Sequence, residues 1–235
     1  MHSAAPARES REIAIPMNVP FAKRPFDRVS MLLLVFVTST VAANDLDLPD
    51  VSLVAAATEA GMPEPSPGEV HEFTGSVATI PCSRWEVLES SDPALVESAC
   101  GDYRMYFKRE EQMNLHRVTT ADGKELVRFD PAYPSLRFPL AVGKQWRKAY
   151  AGHSLLEDIA WQGDVSCEVA DFAKVSVAAG DLDAFRIECK DRWKVADAES
   201  SVTSTTWYAP ALEAVVKSVN YEDPRWNTEL KRVSR

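Results

Sequence analysis

The sequence predicts a mainly β fold: a curved antiparallel sheet or open barrel of seven to nine strands with one short peripheral helix. Two observations lead to this prediction. From residue 69 onward, short stretches of alternating apolar and polar residues follow one another, and turn residues separate them. The composition is 46% hydrophobic with six tryptophans, which is enough to fill a core in a chain of 235 residues.

The clearest alternation lies in residues 183–195, DAFRIECKDRWKV, where every second residue is apolar except Asp191. An upstream run, residues 165–177, alternates in the same way and is interrupted by Asp171. Residues 178–182 around Gly180 supply a loop between the two runs. We therefore expect two neighbouring antiparallel strands with one buried face.

Two further stretches indicate turns and strands. Residues 115–129 contain an Asp122–Gly123 step between β-prone segments, which is typical of a hairpin. Residues 137–146, RFPLAVGKQW, carry no acid, histidine or nucleophile and combine a proline, a glycine and large apolar residues. This stretch is predicted to be a turn that leads into a strand with Trp146 facing inward.

The predicted helix lies in residues 90–101, SSDPALVESACG. Ser91 or Asp92 is suited to cap it, Pro93 to occupy its first turn and Gly101 to follow its end. Three more strands are predicted in SVTSTTWY, ALEAVVKSVNY and RWNTELKRV.

The N-terminal 43 residues are predicted to be an export signal. Three basic residues precede the apolar run VSMLLLVFV, and small residues follow it, with cleavage expected after Ala43. The apolar run is too short to cross a bilayer, which takes roughly 20 helical residues, so no membrane span is expected after cleavage. The segment before Met17 is long for such a signal, so Met17 is the favoured start. The predicted location is the periplasm or the exterior.

Residues 44–68 are rich in Pro, Ala and Asp and are interpreted as a linker, with a single β-rich domain over residues 69–235. The formal net charge is −9. Removing residues 1–43 takes away five basic and three acidic residues, which leaves 21 and 32 and a net charge of −11. The basic residues are scattered and form no run of five or more, which argues against nucleic acid as a partner.

Four cysteines remain after the signal, and an even number in an exported protein favours two disulfides. The favoured pairs are Cys82 with Cys100 and Cys167 with Cys189. In a regular hairpin Cys167 and Cys189 lie diagonally, so their disulfide requires a bulge or a less regular hairpin. Their spacing does not match a zinc site.

Three segments together resemble a family of exported bacterial proteins, the domain of unknown function 3108 and related lipoprotein-like families. They are RFPLAVGKQW, VSVAAGDLDAFRIE and TTWYAPALEAVVKSV, in that order. The resemblance covers residues 137–219 and departs at Ala178 and Leu182, where relatives favour proline and an aromatic residue. It implies an exported β-rich domain and carries no catalytic residues.

Few residues suggest chemistry. If Asp171 and Asp191 both point inward, they mark a polar pocket at a cavity mouth, with raised pKa values. The alternative is that each lies near a strand end or pairs with a cation such as Lys174. Trp193, Trp207 and Tyr208 are candidates to line the same pocket or stack on a ring. No catalytic residue, cofactor or metal ligand is predicted, because the histidines stand alone in the sequence.

We therefore expect a noncatalytic exported protein whose curved sheet binds an apolar, lipid-like or other envelope-derived ligand. A structural or protein-interaction module of the envelope, with an envelope protein as partner, is the alternative. A hydrolase with an unrecognised site is the second alternative.

Overall fold

A computed structural model describes residues 59–76 and 80–234. The predicted signal peptide and residues 44–58 of the predicted linker lie outside this part of the chain. The strands are β1 (Val70–Thr74), β2 (Arg84–Leu88), β3 (Leu95–Cys100), β4 (Tyr103–Lys108), β5 (Asn114–Thr120), β6 (Glu125–Tyr133), β7 (Gln145–Ser154), β8 (Ile159–Val177), β9 (Gly180–Val195), β10 (Ala198–Ala209), β11 (Ala214–Asn220) and β12 (Thr228–Ser234).

These twelve strands form a closed antiparallel barrel. Each strand pairs with its neighbours in the sequence, and β1 pairs with both β2 and β12 to close the ring. The mainly β class is therefore confirmed, but the prediction of seven to nine strands in an open sheet was wrong. The first four strands have only five or six residues, too few to show more than two or three alternations.

The predicted helix at residues 90–101 is also wrong. Residues 91–94 form turns, and β3 follows with Val96, Ser98 and Cys100 buried at every second position. Asp92 does cap a backbone amide, since its Oδ1 accepts a hydrogen bond from Ala94 N, but a turn uses that cap. Burial of every second side chain is the pattern of a strand and not of a helix. Among the described residues, the helical elements are the short 3₁₀ turns Pro210–Leu212 and Pro224–Trp226.

The long hairpin of β8 and β9 contains the irregularity that its disulfide requires. Val177 pairs with Gly180 at the tip, the register shifts between Val169 and Asp171, and below that shift Cys167 lies directly opposite Cys189. These two cysteines are disulfide-bonded, and so are Cys82 and Cys100. The extra residue at the bulge also turns Asp171 away from the face that it interrupts in the sequence.

Side chains fill the region enclosed by β6–β10. The loop between β6 and β7 inserts Phe138 and Leu140 into this cluster, and Trp146 Nε1 donates a 3.0 Å hydrogen bond to Pro134 O. Ala60, from the predicted linker, is buried there too and exchanges two backbone hydrogen bonds with Leu140. The decapeptide RFPLAVGKQW is therefore part of the architecture.

No helix among residues 59–76 and 80–234 is both long enough and apolar enough to span a membrane.

Candidate functional site

The two aspartates of the predicted pocket lie far apart. Asp191 pairs with Val165 on β8, whereas Asp171 pairs with Arg186 on β9. Six residues of β8 separate these levels, which corresponds to about 20 Å of strand. Arg186 donates hydrogen bonds of 3.0 and 2.9 Å to Asp171 Oδ2, so Asp171 belongs to a surface ion pair.

The predicted aromatic residues are also dispersed. Tyr208 lies in the cluster with Phe138 and Leu140. Trp207 packs at the edge of a different cluster around Val216 and Leu230, and Trp193 is partly buried opposite Gly163. The five residues Asp171, Asp191, Trp193, Trp207 and Tyr208 therefore do not line one pocket.

Asp191 is a buried carboxyl group inside the barrel, with 6% of its surface exposed. Its Oδ2 accepts hydrogen bonds from the hydroxyl groups of Tyr150 at 2.8 Å and Tyr133 at 3.1 Å. Its Oδ1 is buried without a hydrogen-bond partner among the described residues. Burial raises the pKa of Asp191 to about 6, and the two tyrosine hydrogen bonds oppose this rise. Burial and the nearby carboxylate also raise the pKa of both tyrosines.

Two glycines make room for the rings beside Asp191. Gly152 lies opposite Trp161 and Gly163 lies opposite Tyr150 in the pairing of β7 with β8. A Cβ atom at Gly152 would come within 2.1 Å of the Trp161 ring, and one at Gly163 within 2.3 Å of the Tyr150 ring. Each ring therefore lies over the backbone of the facing strand, which directs the Tyr150 hydroxyl toward Asp191.

The aromatic side chains around Asp191 pack directly against one another. Phe129 lies 5.5 Å from Tyr133, 6.0 Å from Tyr150 and 6.0 Å from Trp161, measured between ring centroids. Tyr133 and Tyr150 are 5.1 Å apart. These are ordinary distances for contacting rings and leave no space between them for a ligand. The Asp191 cluster is consequently part of the filled interior.

An open groove of about 450 Å³ lies across β6–β9. Small residues form its floor, because Ala151, Ala160 and Ala196 lie between the longer side chains of its rim. Gly152 and Trp161 also contribute. The rim and ends are formed by Arg128, Asp130, His153, Gln162 and Lys194. The groove thus has an apolar floor and a polar rim that carries two cations and one acid, and its volume falls within the range of small-molecule sites.

Two of the four ionisable rim residues already have partners among the described residues. Arg128 Nε donates a 3.1 Å hydrogen bond to Glu125, and His153 Nε2 lies 3.1 Å from Asp158 Oδ1. Lys194, by contrast, is exposed and forms no ion pair with any residue that the structure describes. It is the rim cation that remains available to a ligand.

Lys194 is the last of three exposed cations on one face of β9, after Lys190 and Arg192. We call Lys190, Arg192 and Lys194 the cation row. Within residues 59–76 and 80–234, none of the three has an ion pair. Their partners on the adjacent strands are mostly uncharged: Ser166 and Gln162 on β8, and Thr203 and Ser201 on β10.

The remaining side chains offer no clustered chemistry. The three described histidines lie on different strands, and each is hydrogen-bonded within the chain. His71 is hydrogen-bonded to Glu69, His116 to the backbone oxygen of Phe129, and His153 to Asp158. The described part of the chain contains no group of three or more His, Cys, Asp or Glu residues that could hold a metal ion. A second, smaller groove of about 180 Å³ lies beside the β2–β3 turn, between Pro65 and Arg109.

No protein-family model matches this chain, so its resemblance to domain of unknown function 3108 is not confirmed. No curated protein matches it either.

Three solved structures show a weak similarity. A candidate lipoprotein from Parabacteroides distasonis has a TM-score of 0.41 and 11% identity, over 74% of this chain and 99% of its own. A candidate exported protein with a YmcC-like fold from Bacteroides fragilis has a TM-score of 0.39 and 12% identity, over 75% and 100%. The hypothetical lipoprotein YmcC from Escherichia coli has a TM-score of 0.40 and 11% identity, over 64% and 76%. Similarity at this level supports no conclusion about function.

The sequence prediction missed the groove. Its floor consists of alanines on β7, on β8 and in the turn after β9, and an exposed alanine has no distinctive pattern. Lys190 and Arg192 were visible in the sequence on the polar face of residues 184–192, but which residues lie opposite the row depends on strand register.

Proposed function

We propose that this protein is a noncatalytic, exported binding protein that takes the apolar part of an envelope-derived ligand into the groove across β6–β9. The observation that carries the proposal is the contrast between a filled interior and an open groove with an alanine floor. A ligand site inside the curved sheet, as expected from the sequence, has no comparable support, since the Phe138–Leu140 loop occupies that region.

Export is supported by the two disulfides. One joins β8 to β9, the other joins the loop before β2 to the end of β3, and all four cysteines are used. Disulfides of this kind persist in oxidising compartments, in agreement with the signal pattern at the N-terminus. Fractionation of cells that produce the full chain, with detection of the mature N-terminus by mass spectrometry, tests this part of the proposal. An N-terminus at Asn44 in an extracytoplasmic fraction is expected, and a cytoplasmic, uncleaved chain would contradict it.

The absence of catalysis is proposed from the chemistry of the described side chains. Among the described residues, Asp191 is the carboxyl group whose pKa burial raises strongly, and it is 6% exposed and hydrogen-bonded to two tyrosines. His153 lines the groove with its Nε2 3.1 Å from Asp158 Oδ1, and no serine, threonine or cysteine is among the described residues of the groove lining.

The binding proposal is tested with a probe that has an apolar tail and no charge. Dodecyl maltoside, titrated below its micelle concentration into 15N-labelled protein, is expected to shift the amide resonances of residues 151–153 and 160–162. Native mass spectrometry of protein purified from its own host adds a search for a co-purifying ligand of lipid size.

Two variants locate the binding site. Ala160→Phe places a ring over the groove floor and is expected to abolish probe binding. Ala173→Phe, at another exposed position of the same strand, is the control and should bind as the wild type does. If both variants bound dodecyl maltoside equally well, the groove would not be the binding site.

A further inference from the structure

The cation row runs directly into the groove. Lys194 pairs with Gln162 across β8, and both belong to the groove rim. Arg192 and Lys190 follow at the next two outward positions of β9, opposite Asp164 and Ser166. Alternate residues of a strand are about 7 Å apart, so the three charges extend about 13 Å from the groove along β9.

Two acidic residues lie beside the row. Asp164 is held by Arg147, whose Nε donates a 2.6 Å hydrogen bond to Asp164 Oδ1. Glu199 lies opposite Lys194 on β10 without forming an ion pair with it. The row also lies within a chain of net charge −9, in which exposed cations elsewhere are commonly paired, as Lys174 is with Asp183. Unpaired cations of this kind are free to meet an anion from solution.

The acidic end of the groove lies on the opposite side from the row. Asp130 is on β6, and β7 and β8 separate it from Lys194 on β9. Three interstrand spacings correspond to about 14 Å. A ligand that lies across the groove can therefore keep its anionic group at Lys194 and its apolar part over the alanine floor, away from Asp130.

We infer that the cation row is the subsite for a phosphate or similar anionic headgroup, and that the ligand of the groove is an anionic amphiphile. This inference rests on the proposed function, because it assigns the polar part of a ligand whose apolar part occupies the groove. Arg192 and Lys194 supply charge-assisted hydrogen bonds to the headgroup, and Lys190 extends the positive field outward. The side chains are exposed, so binding weakens as salt screens them.

The test compares three probes that separate tail from headgroup. Monododecyl phosphate carries both, dodecyl maltoside carries the tail alone, and inorganic phosphate carries the anion alone. Calorimetric titration below the micelle concentration is expected to show monododecyl phosphate binding about tenfold or more tightly than either of the others. Raising the salt from 20 to 300 mM should reduce this advantage.

Two triple variants then assign the subsite. Lys190→Gln, Arg192→Gln and Lys194→Gln together are expected to reduce the affinity for monododecyl phosphate to that for dodecyl maltoside. Lys124→Gln, Lys174→Gln and Lys231→Gln together change the net charge equally at exposed positions outside the row and should leave both affinities unchanged. Thermal unfolding of each variant checks that the fold is retained.

The outcomes distinguish the two proposals. Equal wild-type binding of monododecyl phosphate and dodecyl maltoside overturns the anionic subsite and leaves the groove function standing. Binding of inorganic phosphate as tight as that of monododecyl phosphate, lost in the triple variant of the row, supports the subsite and removes the apolar groove from the function. Binding of none of the three probes overturns both. Loss of monododecyl phosphate binding in the control triple variant alone overturns the assignment of the subsite to the row.

Discussion

The hydroxyl group of Tyr150 on β7 donates a 2.8 Å hydrogen bond to Asp191 on β9 and so spans the intervening strand β8. The two residues are 41 positions apart in the sequence. Tyr133, at the end of β6, donates to the same carboxyl oxygen. One buried acid on β9 therefore connects the neighbouring strands β6 and β7 across β8, and its protonation state affects the stability of the barrel.

The first prediction concerns the pH dependence of that stability. Burial raises the pKa of Asp191 from 3.8 to about 6, so the folded protein binds a proton more tightly than the unfolded chain. The contribution of Asp191 to the free energy of unfolding does not change with pH below pH 3.8. It falls as the pH rises from about 4 to about 6. The loss reaches about 3 kcal/mol above pH 6, since one pKa unit is worth about 1.4 kcal/mol.

Asp191→Asn removes this titration and keeps a carbonyl oxygen as acceptor for the two tyrosines. Relative to the wild type, the variant should therefore gain about 3 kcal/mol of stability between pH 4 and pH 8. Urea unfolding of both proteins at pH 4, 5, 6 and 8 measures this difference, in which other titrating groups cancel. A constant difference across these pH values would show that the carboxyl group is not perturbed by burial.

The second prediction concerns the tyrosine donors. Tyr150→Phe leaves the buried carboxylate with one hydrogen bond fewer, so at pH 8 it should lower the free energy of unfolding by about 1.5–3 kcal/mol. At pH 4, where Asp191 is protonated and neutral, the loss should be about 1 kcal/mol. The same urea series measures both values. Tyr221→Phe removes a neutral hydrogen bond, because the Tyr221 hydroxyl lies 3.0 Å from Thr205 Oγ1, and it is the control that should lose the same amount at both pH values. Equal losses at the two pH values in Tyr150→Phe would contradict the charged interaction.

The third prediction concerns the glycines that face the rings. Gly163→Ala brings a methyl group against the Tyr150 ring, and Gly152→Ala brings one against the Trp161 ring. Each ring must move, so each variant should be destabilised by about 1–3 kcal/mol. Gly61→Ala has no atom within 4 Å of the added methyl group and serves as the control. Stability unchanged in Gly163→Ala would mean that the Tyr150 ring does not lie over that strand.

The fourth prediction concerns the disulfides. Cys82 and Cys100 are 18 positions apart and Cys167 and Cys189 are 22 apart. Loops of this size restrict the unfolded chain enough to stabilise the fold by about 3 kcal/mol each. Cys82→Ser with Cys100→Ser, and Cys167→Ser with Cys189→Ser, are each expected to lower the unfolding free energy by about this amount. The prediction would be contradicted if a reducing agent left the stability of the wild type unchanged and both double variants were as stable as the wild type.

The parts of the fold that the sequence predicted share one property, a pattern carried by neighbouring residues. The Asp122–Gly123 hairpin, the strands around Cys167 and Cys189 and the inward position of Trp146 were all visible in this way. The short strand β3 was predicted to be a helix because residues 91–93 carry the capping and proline pattern of a helix start. The competing strand pattern consisted of only three alternate residues, which the structure shows to be buried. Asp191 is buried, but about 20 Å of strand separates it from the level of Asp171, because the tight turn between Val177 and Gly180 places Asp191 opposite Val165.

The sequence by itself determined the β class and the alternation that buries one face of β8 and β9, because both depend on the local period of the side chains. It favoured the two cysteine pairs, but the strand register established them. Only the tertiary structure decided that twelve strands close into a ring, that Tyr133 and Tyr150 meet at Asp191, and that alanines from two strands and a turn leave a groove beside three cations without ion pairs. Those relationships depend on strand register, and a shift of a single residue exchanges the inner and outer faces of a strand.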